Sequence, residues 1–207
     1  MNAIELLKSD HQKVRGLLAE LAETTHRASK TRIELLGKIA LELRVHTTIE
    51  EEIFYPAFRE AGEKHEDEKM FFEAMEEHRA AGDLVLPDLE ATEVDSDQFG
   101  GRAKVLKELV EHHADEEEKE MFPRARELLG VDALRELGER MQARKVELMD
   151  DPSLLDQRQD AEGPGLLGSV VTAMSTEEDT DPGLSPDGLP PGARRGKGER
   201  NRGRDAR

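Results

Sequence analysis

The chain has 207 residues, of which 37% are charged and 3% aromatic, and a formal net charge of −17. That acidic balance excludes the basic face nucleic acid needs, and no window offers the about 20 apolar residues of a membrane span. With no Cys, disulfides, thiolate metal sites and thiol nucleophiles are excluded; a Met-Asn-Ala-Ile-Glu start without a basic or apolar leader adds the expectation of a cytoplasmic protein.

Asn2 with Glu5 predicts an N-cap and its reciprocal partner, so a helix begins almost at once. Ile4, Leu7, Val14, Leu18 and Leu21, with His11 between Leu7 and Val14, step by three and four and form one helical stripe. After a lapse at His26 to Lys30, Thr31 with Glu34 predicts a second capping box. The second stripe is Leu36, Ile39, Leu43, His46, Glu50 and Ile53, and Pro56 predicts its end or a kink. Gly62 to Asp67 reads as a turn. The third stripe is Phe71, Met75, His78, Gly82, Val85 and Leu89, with Pro87 predicting a kink or fraying. Asp95-Ser96-Asp97 with Gln98 opens the fourth, Ala103, Leu106, Val110, His113, Glu117 and Met121. Pro123 and Gly130 punctuate the chain. Asp132 is then expected to cap a fifth helix carrying Leu134, Leu137, Met141 and Leu148 and halted by Asp150-Asp151-Pro152.

Four helices of similar length with short connections predict an all-α, up-down-up-down four-helix bundle, with the fifth helix on one side or end. This domain is expected over residues 1–150. Residues 151–207 hold most of the Pro and, in the last fourteen, seven Arg or Lys. Such a segment buries too little apolar surface to offset its ordering entropy and is expected to be a disordered tail. The sequence does not specify a partner for it.

An internal repeat runs through these elements. An offset of 67 residues carries Asp10-His11 to Glu77-His78, His46 to His113, Glu50-Glu51 to Glu117-Glu118 and Pro56 to Pro123. His11, His46, Glu50, His78, His113 and Glu117 all occupy stripe positions where Leu or Ile would otherwise stand. Six buried polar groups without partners would sink a marginally stable domain, whereas convergence on divalent cations satisfies them. In each His-x3-Glu pair the side chains lie one turn apart on one face and reach one centre. Four imidazoles and two carboxylates suit Fe, Mn or Zn rather than Ca or Mg. If both carboxylates bridge, the set gives about eight of the about twelve bonds of two six-coordinate metals. An oxo or hydroxo bridge adds two, leaving about one open position per metal for a small ligand.

These residues resemble the hemerythrin-like, HHE-type cation-binding domain, over roughly residues 5–128. The motifs are Asp10-His11, His46-x3-Glu50-Glu51, Glu77-His78 and His113-x3-Glu117-Glu118, in that order with both Pro positions. The resemblance implies a four-helix bundle with two non-haem iron ions, oxo- or hydroxo-bridged, and a role in binding or sensing O2, peroxide or NO, or in handling iron. Oxygen-carrying hemerythrins use five histidines; four stand on these stripes, which weakens the oxygen-carrier reading and leaves sensor, peroxide or NO chemistry, or an iron-linked stress function, open.

The other residues read more plainly. His26, His65 and His112 break the offset and are assigned to the surface. The acid runs around Glu51 and Glu118 read first as a solvated face and second as acceptors for the outer N–H of ligand imidazoles. Tyr55 reads as a packing residue, and Leu43, Ile53, Leu106 and Val110 as walls of the site. Two other functions stay open: an enzyme with peroxidase-, catalase- or NO-reducing activity at the same centre, and a metal-independent interaction protein.

Overall fold

The computed structural model describes residues 1–151, so the tail expectation falls outside the described residues. Among them the elements are all helical: α1 (Ala3–Ala22), α2 (Ser29–Ile49), α3 (Tyr55–Ala61), α4 (His65–His78), α5 (Leu86–Glu90), α6 (Asp97–Glu116) and α7 (Phe122–Met149). Three π-helical segments, Glu50–Phe54, Arg79–Val85 and Glu117–Met121, join α2 to α3, α4 to α5 and α6 to α7 without a break. The result is four rods, the bundle the stripes predict. No helix among the described residues is long and apolar enough to cross a membrane.

The prolines explain the π segments. Pro56, Pro87 and Pro123 each sit at the start of the following α-helical stretch. Proline lacks an N–H, and its ring collides with the carbonyl four residues back. A wider turn moves that carbonyl aside: Tyr55 N–H bonds Glu50 O, and Phe122 N–H bonds Glu117 O. The expected stops are therefore absorbed, and the rods run on to Ala61, Glu90 and Met149.

Two of the capping expectations hold. Asn2 and Glu5 bond reciprocally at 3.0 Å, and Ser96 accepts from Phe99 N–H at 3.1 Å. The Thr31/Glu34 box does not form, because α2 already begins at Ser29 without a side-chain cap. Buried Arg32 sets that earlier start. Its N–H bonds Ala28 O at 2.9 Å. Its guanidinium donates to Thr24 Oγ1, Thr24 O and Val94 O, at 2.9, 3.1 and 2.6 Å, fastening the first turn to two loops.

The expected fifth helix is present, set off from the fourth rod by a kink at Gly130. α7 runs from Phe122 to Met149 with one interruption at Gly130, where φ is +72°. Glycine enters that left-handed region without a Cβ clash, and the chain is redirected there. Leu134, Leu137, Met141 and Leu148 beyond it are buried as expected. This extension lies on the first two rods. A Cβ on Gly138 would stand 2.7 Å from Met1 O, Asn2 C and Ala3 N, so the backbones meet where only glycine fits. Arg144 also binds Glu52 at 2.8 and 3.1 Å, and Lys145 binds Asp10.

The apolar core has two parts. One holds Ile4, Leu7, Ile49, Phe54, Tyr55, Phe58 and Phe122 with the α7 extension; the other holds Val14, Leu18, Leu36, Ile39, Leu86, Phe99 and Leu106. Along α1, His11 lies between Leu7 of the first part and Val14 of the second, so a polar layer divides them. The third stripe is the thinnest: His78 and Leu89 are buried, but Phe71, Met75, Gly82 and Val85 only partly.

Candidate metal centre

All six stripe residues of the polar layer are buried, each at 7% exposure or less. The structure brings them together. Donor atoms of His11, His46, Glu50 and Glu117 lie within 4.8 Å of one another, as do those of Glu50, His78 and His113. Glu50 belongs to both groups and is the bridge between them. Its Oε2 is 3.1 Å from His46 Nε2 and 3.3 Å from His78 Nε2. Glu117 Oε2 is 3.2 Å from His11 Nε2 and 3.7 Å from His113 Nε2. His78 Nε2 and His113 Nε2 are 3.1 Å apart.

Each imidazole points its other nitrogen at a carboxylate. His11 Nδ1 is 3.1 Å from Glu118 Oε1, His78 Nδ1 2.9 Å from Glu51 Oε1, and His113 Nδ1 2.8 Å from Glu77 Oε2. His46 Nδ1 is 3.8 Å from Asp10 Oδ2, longer than a hydrogen bond. Such acceptors fix the ring and its tautomer, freeing Nε2 for a cation. Glu51 and Glu118 are therefore imidazole partners rather than a solvated face alone. Glu77, not assigned this role from sequence, joins them for His113, and Asp10, equally unassigned, faces His46 without a hydrogen bond. Their 67-residue spacing was the available signal.

The inner atoms are orphaned. His11 Nε2, His46 Nε2, both Glu50 oxygens and Glu117 Oε2 are buried with no hydrogen-bond partner. Buried lone pairs facing lone pairs are costly without a cation between them, and this donor set fits transition metals. The protonation states express the same conflict. Burial, then the charge of Glu117, pushes the Glu50 carboxyl well above its usual range. Burial also pushes Glu117 up, but His113 and then His11 outweigh it and hold it low. Burial brings His46 down to about 4 despite Asp10, leaving it neutral. The two carboxyls are thus pushed in opposite directions.

Tyr55 is a site residue that the sequence reading assigned to packing. It is fully buried, donates to Glu117 Oε1 at 2.9 Å and stands 3.2 Å from His78 Nε2. Burial, then Glu117 and Glu50, pushes its phenol well above 10, so it remains a donor. It escaped notice because it breaks the repeat, Phe122 being its counterpart. Among the expected walls, Leu43 and Val110 line a cavity of about 650 Å³ that reaches all four imidazoles. Ile53 and Leu106 are buried in the two core parts instead. His26, His65 and His112 are exposed, as expected.

A four-helix bundle with an imidazole–carboxylate layer across its middle defines the hemerythrin-like class, and the chain belongs to the hemerythrin HHE cation binding domain family, whose profile matches residues 2–125. It is 31% identical over 153 residues to uncharacterized proteins of Mycobacterium tuberculosis and Mycobacterium bovis, covering 73% of this chain and 90% of each relative. The crystal structure of a hemerythrin HHE cation binding domain-containing protein from Mycobacterium kansasii is similar, with TM-score 0.66 and 30% identity over 78% of this chain and 96% of that one.

Proposed function

We propose that the chain is a non-haem di-iron protein that binds or senses a small oxidant, namely O2, peroxide or NO. His11, His46, Glu50, His78, His113 and Glu117 would hold the two ions. The observation that carries this reading is the set of orphaned Nε2 and carboxylate oxygens converging in a buried layer. An iron pair bound there would supply redox capacity and an open position. The protein's own part is to fix imidazoles through Glu51, Glu77 and Glu118, and to offer a proton from Tyr55 beside Glu117.

The test is metal analysis with a visible spectrum on freshly purified protein. About two irons per chain and the charge-transfer absorption of a ferric pair are expected. The double variant His46→Ala with His113→Ala should lose the metal, and His112→Ala should keep it. One ion per chain, or zinc from iron-replete cells, overturns the proposal. A catalytic reading of the same centre is favoured by the cavity, which gives a reactant access to the imidazoles; sustained turnover of peroxide or NO would separate it from sensing.

A further inference from the structure

The cavity that reaches the imidazoles lies between α2 and the Arg79–Val85 segment, and the repeat shows that its openness is peculiar to one side. Gly82 lines it, one turn beyond His78, together with Thr48 and Glu51. The repeat counterparts of Gly82, Thr48 and Glu51 are Arg15, Asp115 and Glu118. On that side Arg15 closes the space, bonding Asp115 at 2.7 Å and Glu118 at 3.0 Å. No conformational demand requires glycine at position 82, and a Cβ there would meet nothing within 4 Å. Glycine inside a helical rod is unfavourable relative to alanine. Here it leaves space at the mouth of the cavity.

The walls indicate what that space accommodates. Val14, Leu43, Met75, Leu86 and Val110 give an apolar interior. The volume of about 650 Å³ falls among sites for organic ligands rather than passages for diatomics. The two arginines on its wall are committed, Arg44 to Glu90 at 2.7 Å and Arg79 to Glu76 at 2.8 Å. Glu51 and Asp83 are exposed residues of the lining and add negative charge. An uncharged molecule with an aliphatic body finds apolar contact there.

We propose that this cavity is a binding site for a small, uncharged aliphatic molecule, that it is entered between α2 and Arg79–Val85, and that Gly82 sets its capacity. The inference deepens the reading of the metal centre and rests on it for what lies at the inner end. The probe is 1-hexanol, titrated into full-length protein as purified and carrying ¹³C-methyl methionine. The Met75 resonance should shift saturably, while those of Met121 and Met141, buried away from the cavity, should not. Gly82→Leu should weaken the response about tenfold or more, with metal and helix content unchanged. Leu43→Phe, filling from the opposite wall, should do the same. An unmoved Met75, or a Gly82→Leu chain that responds like wild type, overturns the proposal. Metal analysis on the same samples reads the centre separately: a hexanol response without iron would sink the di-iron reading and leave the cavity assignment standing.

Discussion

The two repeats carry the same six-residue frame and surround it differently. In the first, the α7 extension covers the rods, placing Gly138 against the start of α1 and Lys145 on Asp10. In the second, Glu77, the counterpart of Asp10, has exposed His112 at 3.4 Å as its outer neighbour. Near His78 stands Tyr55; near His11 its counterpart Phe122 stacks at 5.7 Å with planes 7° apart. The repeat thus constrains the groups facing the centre and leaves their surroundings free to diverge. A symmetric donor set acquires two unlike sides, one open and hydroxyl-bearing, the other sealed and aromatic.

The largest expected effect comes from removing the cover of the first repeat. A chain ending at Gly130 loses Leu134, Leu137, Met141 and Leu148 from the core. At about 1.5–3 kcal/mol for each fully buried side chain, the loss is comparable with the about 5–15 kcal/mol that holds a typical domain folded. Circular dichroism should show no cooperative melt, whereas a chain ending at Asp150 should melt like the full chain. A cooperative, unshifted melt after truncation at Gly130 would show that the first repeat does not need its cover.

Making the halves alike should cost less. Tyr55→Phe removes the donor to Glu117 Oε1 and the neighbour of His78 Nε2. Leaving that buried oxygen unpartnered should cost about 1–3 kcal/mol in denaturant unfolding. The reciprocal Phe122→Tyr places a hydroxyl in the core beside His11 and should destabilise in the same range. If either substitution stabilises the protein, the difference between the two sides is not built into its packing.

The smallest effect concerns a tether that only the second repeat has. Asp67 accepts from Glu63 and Lys64 N–H at 2.9 and 3.0 Å, and from Arg124 at 2.7 and 3.0 Å. The Arg124 hydrogen bonds, against the opposing effect of burial, hold its carboxyl well below the ordinary 3.8. A depressed folded-state value contributes stability at neutral pH. That contribution fades below about pH 4, where the unfolded chain takes up the proton first. Asp67→Asn should therefore lower Tm by a few degrees at neutral pH. The gap to wild type should narrow in melts taken below about pH 4; a gap that widens on acidification contradicts the assignment.

How much of this was legible in the sequence depends on whether a residue's role follows the repeat. His11, His46, Glu50, His78, His113 and Glu117 could be read because period and stripe coincide. The acceptors were harder. Glu118 serves His11 from 107 residues away, and Glu51 serves His78 from the other repeat. Each pairing joins the two repeats, which spacing within one repeat cannot reveal. Tyr55 and Gly82 were missed for the opposite reason: they are departures from the period, and a search for matches passes over them. The Thr31/Glu34 box failed because Arg32, bonded to Thr24 and Val94, fixes the start of α2 through contacts distant in sequence.

The π segments at Glu50–Phe54 and Glu117–Met121 have a consequence for helical phase. An α-helix advances by about 100° per residue, and a π turn closes on one residue more than an α turn. Everything downstream of each segment therefore stands one step behind where an unbroken helix would place it. Tyr55 and Phe122 are the residues whose N–H closes those turns, and they owe their inward direction to that step. Winding Glu50–Phe54 as a regular α-helix with every residue kept would spare every imidazole and carboxylate of the inner layer. It would also swing Phe54, Tyr55 and Phe58 by about 100° out of the core. The extra residue in each segment is thus an offset in winding that keeps the aromatic floor in register with the histidine layer above it.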